Sequence, residues 1–139
     1  MQMLTVLSKS ENHQDPIETK ILACNPILEA FGNSKTVRNE NSSRFGKNAQ
    51  IYFGPDHTIK GASIKSYLLE KSRVTNIAQN ERSFHIFYAL CASKQFGAKP
   101  AENYHLLSQS NCLVAEGITD FFCFVNVQKA MKELGFSEE

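Results

Sequence analysis

One turn constrains the fold more than any other feature. Gly54-Pro55-Asp56 joins three turn-forming residues, with an extended run on each side of it, residues 44–53 before and 58–69 after. Proline presets φ for a turn and Asp bonds to nearby backbone, so the two runs are expected to pair as a β-hairpin. The rest of the chain reads as helix and loop, which makes it a mixed α/β chain with a lone hairpin. Two strands alone are marginal in water and need more strands or a packed helix layer. A start without a helix cap and an abrupt end point the same way. The expectation is that residues 1–139 form an internal piece of a larger domain.

The helical segments have readable signals. Met3, Leu4 and Leu7 share one side of a helix tail over 1–9, followed by a polar loop over 10–14. Asp15-Pro16-Ile17-Glu18 reads as a helix start: Asp15 caps, Pro16 suits the first helical position, and Glu18 completes a capping box. Ile17, Ile21, Cys24 and Leu28 follow at helical spacing, with Leu22 and Ile27 widening the stripe. Pro26 is expected to kink or restart that helix, and Gly32 to end it as a left-handed cap. Further helices are expected over 83–93, 101–109 and 120–134. The last carries Val127, Ala130, Met131 and Leu134 and is closed by Gly135.

Composition matters here for what it excludes. A formal charge of +1, from 15 basic and 14 acidic residues mixed along the chain, gives no basic stripe for nucleic acid or an anionic membrane. No run approaches the roughly 18 apolar residues of a membrane span. At the start, Lys9 follows the apolar stretch instead of preceding it, the wrong order for a signal peptide. Cys24, Cys91, Cys112 and Cys123 are irregularly spaced and read as reduced, mostly buried thiols of a cytosolic protein. His13, His57 and His105 form no spaced ligand set, and His85, between Phe84 and Ile86-Phe87, reads as a core histidine.

Chemistry concentrates in residues 33–47. A long polar connection inside a compact domain is uncommon and often functional. This one places Asn39, Asn41, Ser42, Ser43 and Arg44 directly before a strand. Amides, hydroxyls and a guanidinium suit a polyphosphate with a divalent cation. The same composition also fits a solvated loop whose Asn and Ser bond only to their own backbone.

A resemblance bears on that choice. Asn39-x-Asn41-Ser42-Ser43-Arg44-Phe45-Gly46-Lys47 matches the switch I motif of myosin motor heads. Asn25-Pro26-Ile27-Leu28-Glu29-Ala30-Phe31-Gly32-Asn33-Ser34-Lys35-Thr36 resembles the helix and loop leading into it. Tyr67–Val74 and Glu81–Tyr88 are similar to later segments of that head in the same order, as is Gly135-Phe136-Ser137. Kinesins share an Asn-x-x-Ser-Ser-Arg switch, but Ser-His usually follows it there, where this chain has Phe45-Gly46. Two departures stand out: Glu40, where Asn or Asp is common, and Asn48-Ala49, where larger apolar residues are usual.

The resemblance implies a fold and a set of roles. The chain would be part of a P-loop NTPase-type motor domain, its hairpin being two strands of the central sheet. Residues 8–15 would be a short surface loop near the nucleotide entrance, and residues 33–47 the switch I loop. Residues 44–69 would form the hairpin and 80–139 the helical remainder. ATP and Mg²⁺ would be the ligands. Ser43 would place its hydroxyl on Mg²⁺, Ser42 would position the attacking water beside the γ-phosphate, Asn39 would contact phosphates, and Asn41 would hold the loop in shape. Arg44 would pair with a switch II glutamate.

The partner would be actin filaments, through parts of the head outside this chain, in a cytoplasmic, cytoskeleton-associated setting. The P-loop and switch II motifs are not in this sequence: Gly46-Lys47 is followed by Asn48, and Asn41 stands where a P-loop has its first glycine. ATPase activity is therefore expected of an intact head and not of this segment alone. The alternative expectation is a truncated, non-enzymatic interaction module that pairs through its hairpin edges.

Overall fold

The computed structural model describes residues 16–137. The expected helix tail over 1–9, the loop over 10–14 and the Asp15 cap lie outside the described residues, as does the Glu18 side chain.

Helix α1 (Pro16–Gly32) runs without interruption through Pro26, so the expected restart does not occur. Pro26 has no N–H to offer the Leu22 carbonyl one turn earlier. Asn25 Nδ2 donates to that carbonyl instead, at 3.1 Å, so the acceptor is not left unpaired. Gly32 is not a left-handed cap either; the glycines at positive φ are Gly97, Gly117 and Gly135. Position 32 favours glycine for another reason, since a Cβ there would clash with the Phe45 ring.

The polar segment after α1 is more ordered than an open loop. Strand β1 (Asn33–Ser34) pairs antiparallel with β2 (Ser42–Ser43), Asn33 opposite Ser43 and Ser34 opposite Ser42. Ser34 also bridges to Phe84, which ties the base of the loop to the helical part of the chain.

The expected hairpin is present as β3 (Gly46–Phe53) and β4 (Ile59–Tyr67), Gly46 facing Tyr67, with an irregularity at Tyr52/Phe53. It starts at 46 and not at 44 because Arg44 bonds elsewhere: its N–H donates to Gly32 O (2.9 Å) and its carbonyl accepts from Glu70 N–H (3.0 Å). The turn is closed by His57 N–H to Gly54 O (3.0 Å), with His57 in the left-handed region at φ 60°. Asp56 Oδ1 accepts from Thr58 Oγ1 (2.8 Å), and that bond, with Lys60 behind it, lowers the Asp56 pKa to about 2. The two strand pairs remain separate two-stranded sheets. The hairpin leaves Tyr52, Phe53, Tyr67, Leu68 and Leu69 exposed.

Beyond β4, Leu68 takes a left-handed φ of 57° and the chain enters a 3₁₀ turn at Lys71–Val74. Helices α2 (His85–Ser93), α3 (His105–Ser108) and α4 (Asp120–Glu133) follow. The helix expected over 101–109 is split into a 3₁₀ turn, Ala101–Asn103, and α3, because Tyr104 between them is extended (φ −109°, ψ 110°). Its hydroxyl accepts from Lys99 N–H at 3.0 Å.

Helix α4 packs against both α1 and α2. It buries Phe124, Val127 and Ala130, three residues apart on one face. A second cluster joins Tyr88 and Cys91 of α2 to Leu107, with Phe87, Ala101 and Leu113 packed around it. All four thiols are free, but only Cys91 is buried; Cys24, Cys112 and Cys123 are half-buried, so the expectation of mostly buried thiols is corrected. Among the described residues no helix is long and apolar enough to cross a membrane.

Candidate functional site

The residues singled out by sequence, Asn39, Asn41, Ser42, Ser43 and Arg44, lie together on the far arm of the β1–β2 loop. Two aromatic contacts fix where that arm leaves the loop. The Phe45 ring lies against Gly32, and the Tyr67 ring lies against Gly46.

Within the loop, Thr36 and Asn39 form a tight turn: Thr36 N–H donates to Asn39 O at 2.8 Å, and Thr36 Oγ1 to the same carbonyl at 3.2 Å. Asn39 Oδ1 then accepts the Asn41 N–H at 2.8 Å, an Asx-type bond that turns the chain toward β2. The Asn39 side chain is exposed, and its Nδ2 has no hydrogen-bond partner among the described residues.

Asn41 is exposed, but its side chain is tied to the neighbouring fold. Its Oδ1 accepts from Asn33 Nδ2 at 3.0 Å and lies 3.1 Å from His85 Nε2. A carbonyl oxygen only accepts, so the neutral ring carries its proton on Nε2. Burial, with Arg82 adding to it, lowers the His85 pKa to about 4, so the ring is uncharged at neutral pH. The core histidine expected from its neighbours is therefore also the residue that braces the loop. Its Nδ1 has no partner among the described residues.

Ser43 is exposed and donates its hydroxyl proton to Phe45 O at 3.0 Å. With the proton so committed, the oxygen is left as an acceptor, which fits a hard cation such as Mg²⁺. Ser42 Oγ accepts from Arg44 Nη1 at 3.4 Å, so its own proton remains to be donated.

Charge pairs surround these groups. Arg44 Nε meets Glu70 Oε2 at 2.6 Å. Glu70 also accepts from Arg73, whose Nη1 reaches Glu81 Oε2 at 2.8 Å, and Glu81 Oε1 accepts Val37 N–H at 3.3 Å. Burial would raise the Glu70 pKa, but hydrogen bonds from Arg73 and Arg44 outweigh it and hold the carboxyl below its usual range. At the loop tip Glu40 pairs with Lys35, and its Oε2 accepts Glu116 N–H at 2.7 Å. The Lys35 hydrogen bond, helped by that N–H, lowers the Glu40 pKa.

Arg82 is fully buried. Its N–H donates to Lys35 O (3.0 Å), its Nη2 meets Asp120 Oδ1 at 2.6 Å, and its guanidinium lies 3.8 Å from the Tyr88 ring centroid. Its Nε and Nη1 have no partner among the described residues.

Glu70, Arg73, Glu81 and Arg82 lie in segments that carry the family resemblance, but the sequence reading assigned them no site role. The only local signal was the i,i+3 spacing of Glu70 and Arg73.

Comparison with known proteins follows the same line. The family model of the myosin head (motor domain) matches residues 1–139. The chain is 47% identical over 128 residues to Myosin-6 of Arabidopsis thaliana, covering 88% of this chain and 8% of that protein. It is 45% identical over 143 residues to Myosin-I heavy chain of Dictyostelium discoideum, covering 99% of this chain and 6% of that protein. It is 48% identical over 129 residues to Myosin-1 of Arabidopsis thaliana, covering 88% of this chain and 11% of that protein. The chain thus spans about a tenth or less of the length of these relatives.

Proposed function

This chain belongs to the myosin head family, and we propose that it supplies the γ-phosphate-sensing loop of an ATP-driven, actin-based motor. One observation carries this reading: the loop over 33–47 is tied to the fold by specific contacts and still leaves polar side chains exposed. Asn41 is tied to Asn33 and His85, and Arg44 to Glu70. Asn39 and Ser43 are exposed, and their polar atoms suit a bound ligand.

The residue roles are those the family resemblance implies, and the exposed and tied groups of the loop support them. Asn39 contacts phosphate oxygens through Nδ2, and Asn41 keeps the loop in shape. Ser42 donates its hydroxyl proton beside the γ-phosphate and positions the attacking water. Ser43 offers one oxygen to Mg²⁺, whose other ligands would be phosphate oxygens, water and groups elsewhere in the head. Bound there, Mg²⁺ would neutralise charge on the transferring phosphoryl group. Arg44 pairs with a carboxylate from another part of the head as the site closes. Catalysis of this kind consists of positioning and electrostatic stabilisation, which is what a braced polar loop can provide. A loop held by γ-phosphate and released on its loss also couples chemistry to motion.

On this reading the β3–β4 hairpin forms two strands of a larger central sheet of the P-loop NTPase type. Its edges, unpaired among the described residues, and exposed Tyr52, Phe53 and Tyr67 support that placement. Actin filaments are the partner and the cytoskeleton the setting, both through the whole head.

The test is Mg·ATP turnover by the full-length protein. Ser43→Ala and Arg44→Ala should each lower kcat by about 100-fold or more, as loss of a transition-state contact does. Wild-type turnover in both variants would sink the proposal.

A further inference from the structure

We propose that Glu70 is the positioning residue for Arg44, holding its guanidinium by the Nε edge so that the Nη fork stays available to a second carboxylate. The inference rests on the reading of residues 33–47 as a nucleotide-sensing loop and names a component of it outside the loop.

Glu70 grips the loop at two points. Its N–H donates to Arg44 O at 3.0 Å, and its Oε2 accepts from Arg44 Nε at 2.6 Å. The carboxylate is itself held by Arg73, which donates Nε to Oε2 at 2.9 Å and Nη2 to Oε1 at 3.3 Å. Arg73 is only 5% exposed. It is fixed in turn by Glu81 Oε2 (2.8 Å) and the Arg82 carbonyl (3.2 Å). Both Glu70 oxygens are therefore engaged with a buried guanidinium, and the carboxylate cannot swing away without breaking those bonds.

How Glu70 takes Arg44 matters more than that it does. A carboxylate that met Arg44 end-on would occupy both terminal nitrogens in a bidentate pair. Glu70 uses Nε instead, and Nη1 makes only the long 3.4 Å contact to Ser42 Oγ. The Nη fork keeps most of its donors, on a side chain 29% exposed. The charges also balance locally, since Glu70 and Glu81 match Arg44 and Arg73. Arg44 can then take a further anionic oxygen without leaving Glu70 bare, because Arg73 stays on it. The long, rotamer-rich Arg44 side chain is ordered before its second partner arrives, which removes that ordering cost from the closing step.

The same chain of contacts, Arg44–Glu70–Arg73–Glu81–Val37 N–H, runs from the C-terminal arm of the loop back to its tip. Glu70 is thus placed to make the two arms respond together.

The experiment is a cycle in the full-length protein with Glu70→Gln, Glu70→Asp, Arg44→Ala and the double variant Glu70→Gln/Arg44→Ala, read by steady-state Mg·ATP turnover. Glu70→Gln should lower kcat about 10- to 100-fold while KM moves by about twofold or less, because the lost interaction matters on closing and not in ground-state binding. Glu70→Asp, which keeps the charge, should recover most of that loss. The double variant should be no slower than Arg44→Ala alone, since a residue acting through Arg44 has nothing left to act on. Full kcat in Glu70→Gln beside an inactive Arg44→Ala would overturn the role of Glu70 alone. Losses that add in the double variant would do the same and assign Glu70 a separate structural effect through Arg73. Unchanged kcat in Arg44→Ala would instead remove the nucleotide-sensing reading on which the proposal stands.

Discussion

Acidification should loosen the 33–47 loop well before the carboxylates around it are protonated, and His85 sets the window. Its ring is 3% exposed, donates from Nε2 to Asn41, and titrates near 4 where an ordinary histidine titrates at 6.5. Burial is the main cause. Arg82 adds to it, and Glu40 opposes it by a smaller amount. A histidine with a depressed folded pKa stabilises the closed form fully above about 6.5, and that stability is lost as pH falls toward about 4. The interval of roughly 2.5 units corresponds to about 3 kcal/mol in total, at 1.36 kcal/mol per unit. From about pH 7.5 to 5 the loss is about 2 kcal/mol, or a factor of about 30.

Hydrogen exchange of the full-length protein, corrected for intrinsic pH effects, reads this as a drop in protection of the amides over 33–44. His85→Gln keeps an N–H donor without a titrating ring and should flatten the profile across the same window. Glu40 and Glu70 have lowered pKa values, so their contribution is lost only at lower pH, below the ordinary carboxylate range. Protection that is independent of pH between about 7.5 and 5, or equally dependent in His85→Gln, would refute the assignment of His85 as a neutral brace.

Other substitutions probe separate parts of the structure. Gly32→Ala drives a methyl into the Phe45 ring and should destabilise the loop and the α1 end by about 1–3 kcal/mol, seen as faster exchange over 30–46. Asp120→Ala strands the buried Arg82 guanidinium, which has no other ion pair among the described residues. It should cost about 3–5 kcal/mol in urea unfolding, while Arg82→Met, which leaves only a part-exposed carboxylate, should cost clearly less. Lys94 caps α2 in the left-handed region at φ 57°, so Lys94→Gly should stabilise the α2 end by a few tenths to about 1 kcal/mol, measured as slower exchange of its last turn.

The parts of this structure that could be read from sequence are those fixed by local chemistry. Gly54-Pro55-Asp56 located the hairpin because turn preferences act within four residues. The α4 stripe was legible because Val127 and Ala130 repeat at helical spacing, and Phe124 extends the same face. The β1–β2 pair was not legible, since two-residue strands of Asn and Ser carry no alternation. Pro26 looked like a helix breaker because the rescue of the Leu22 carbonyl by Asn25 is a side-chain event that pattern reading does not see. The Arg44–Glu70 and Asn41–His85 contacts span 26 and 44 residues, and only the folded chain brings them together. Residue types marked the candidate ligand groups, and tertiary contacts decided which of them are tied to the rest of the fold.

The central claim is that residues 33–47 respond to a γ-phosphate in the presence of Mg²⁺. Its most direct test is hydrogen exchange of the full-length protein with Mg·ADP alone and with Mg·ADP plus a γ-phosphate mimic such as beryllium fluoride. Protection of the 39–46 amides should rise about tenfold or more with the mimic and remain low with Mg·ADP. Equal protection in the two states would contradict the account.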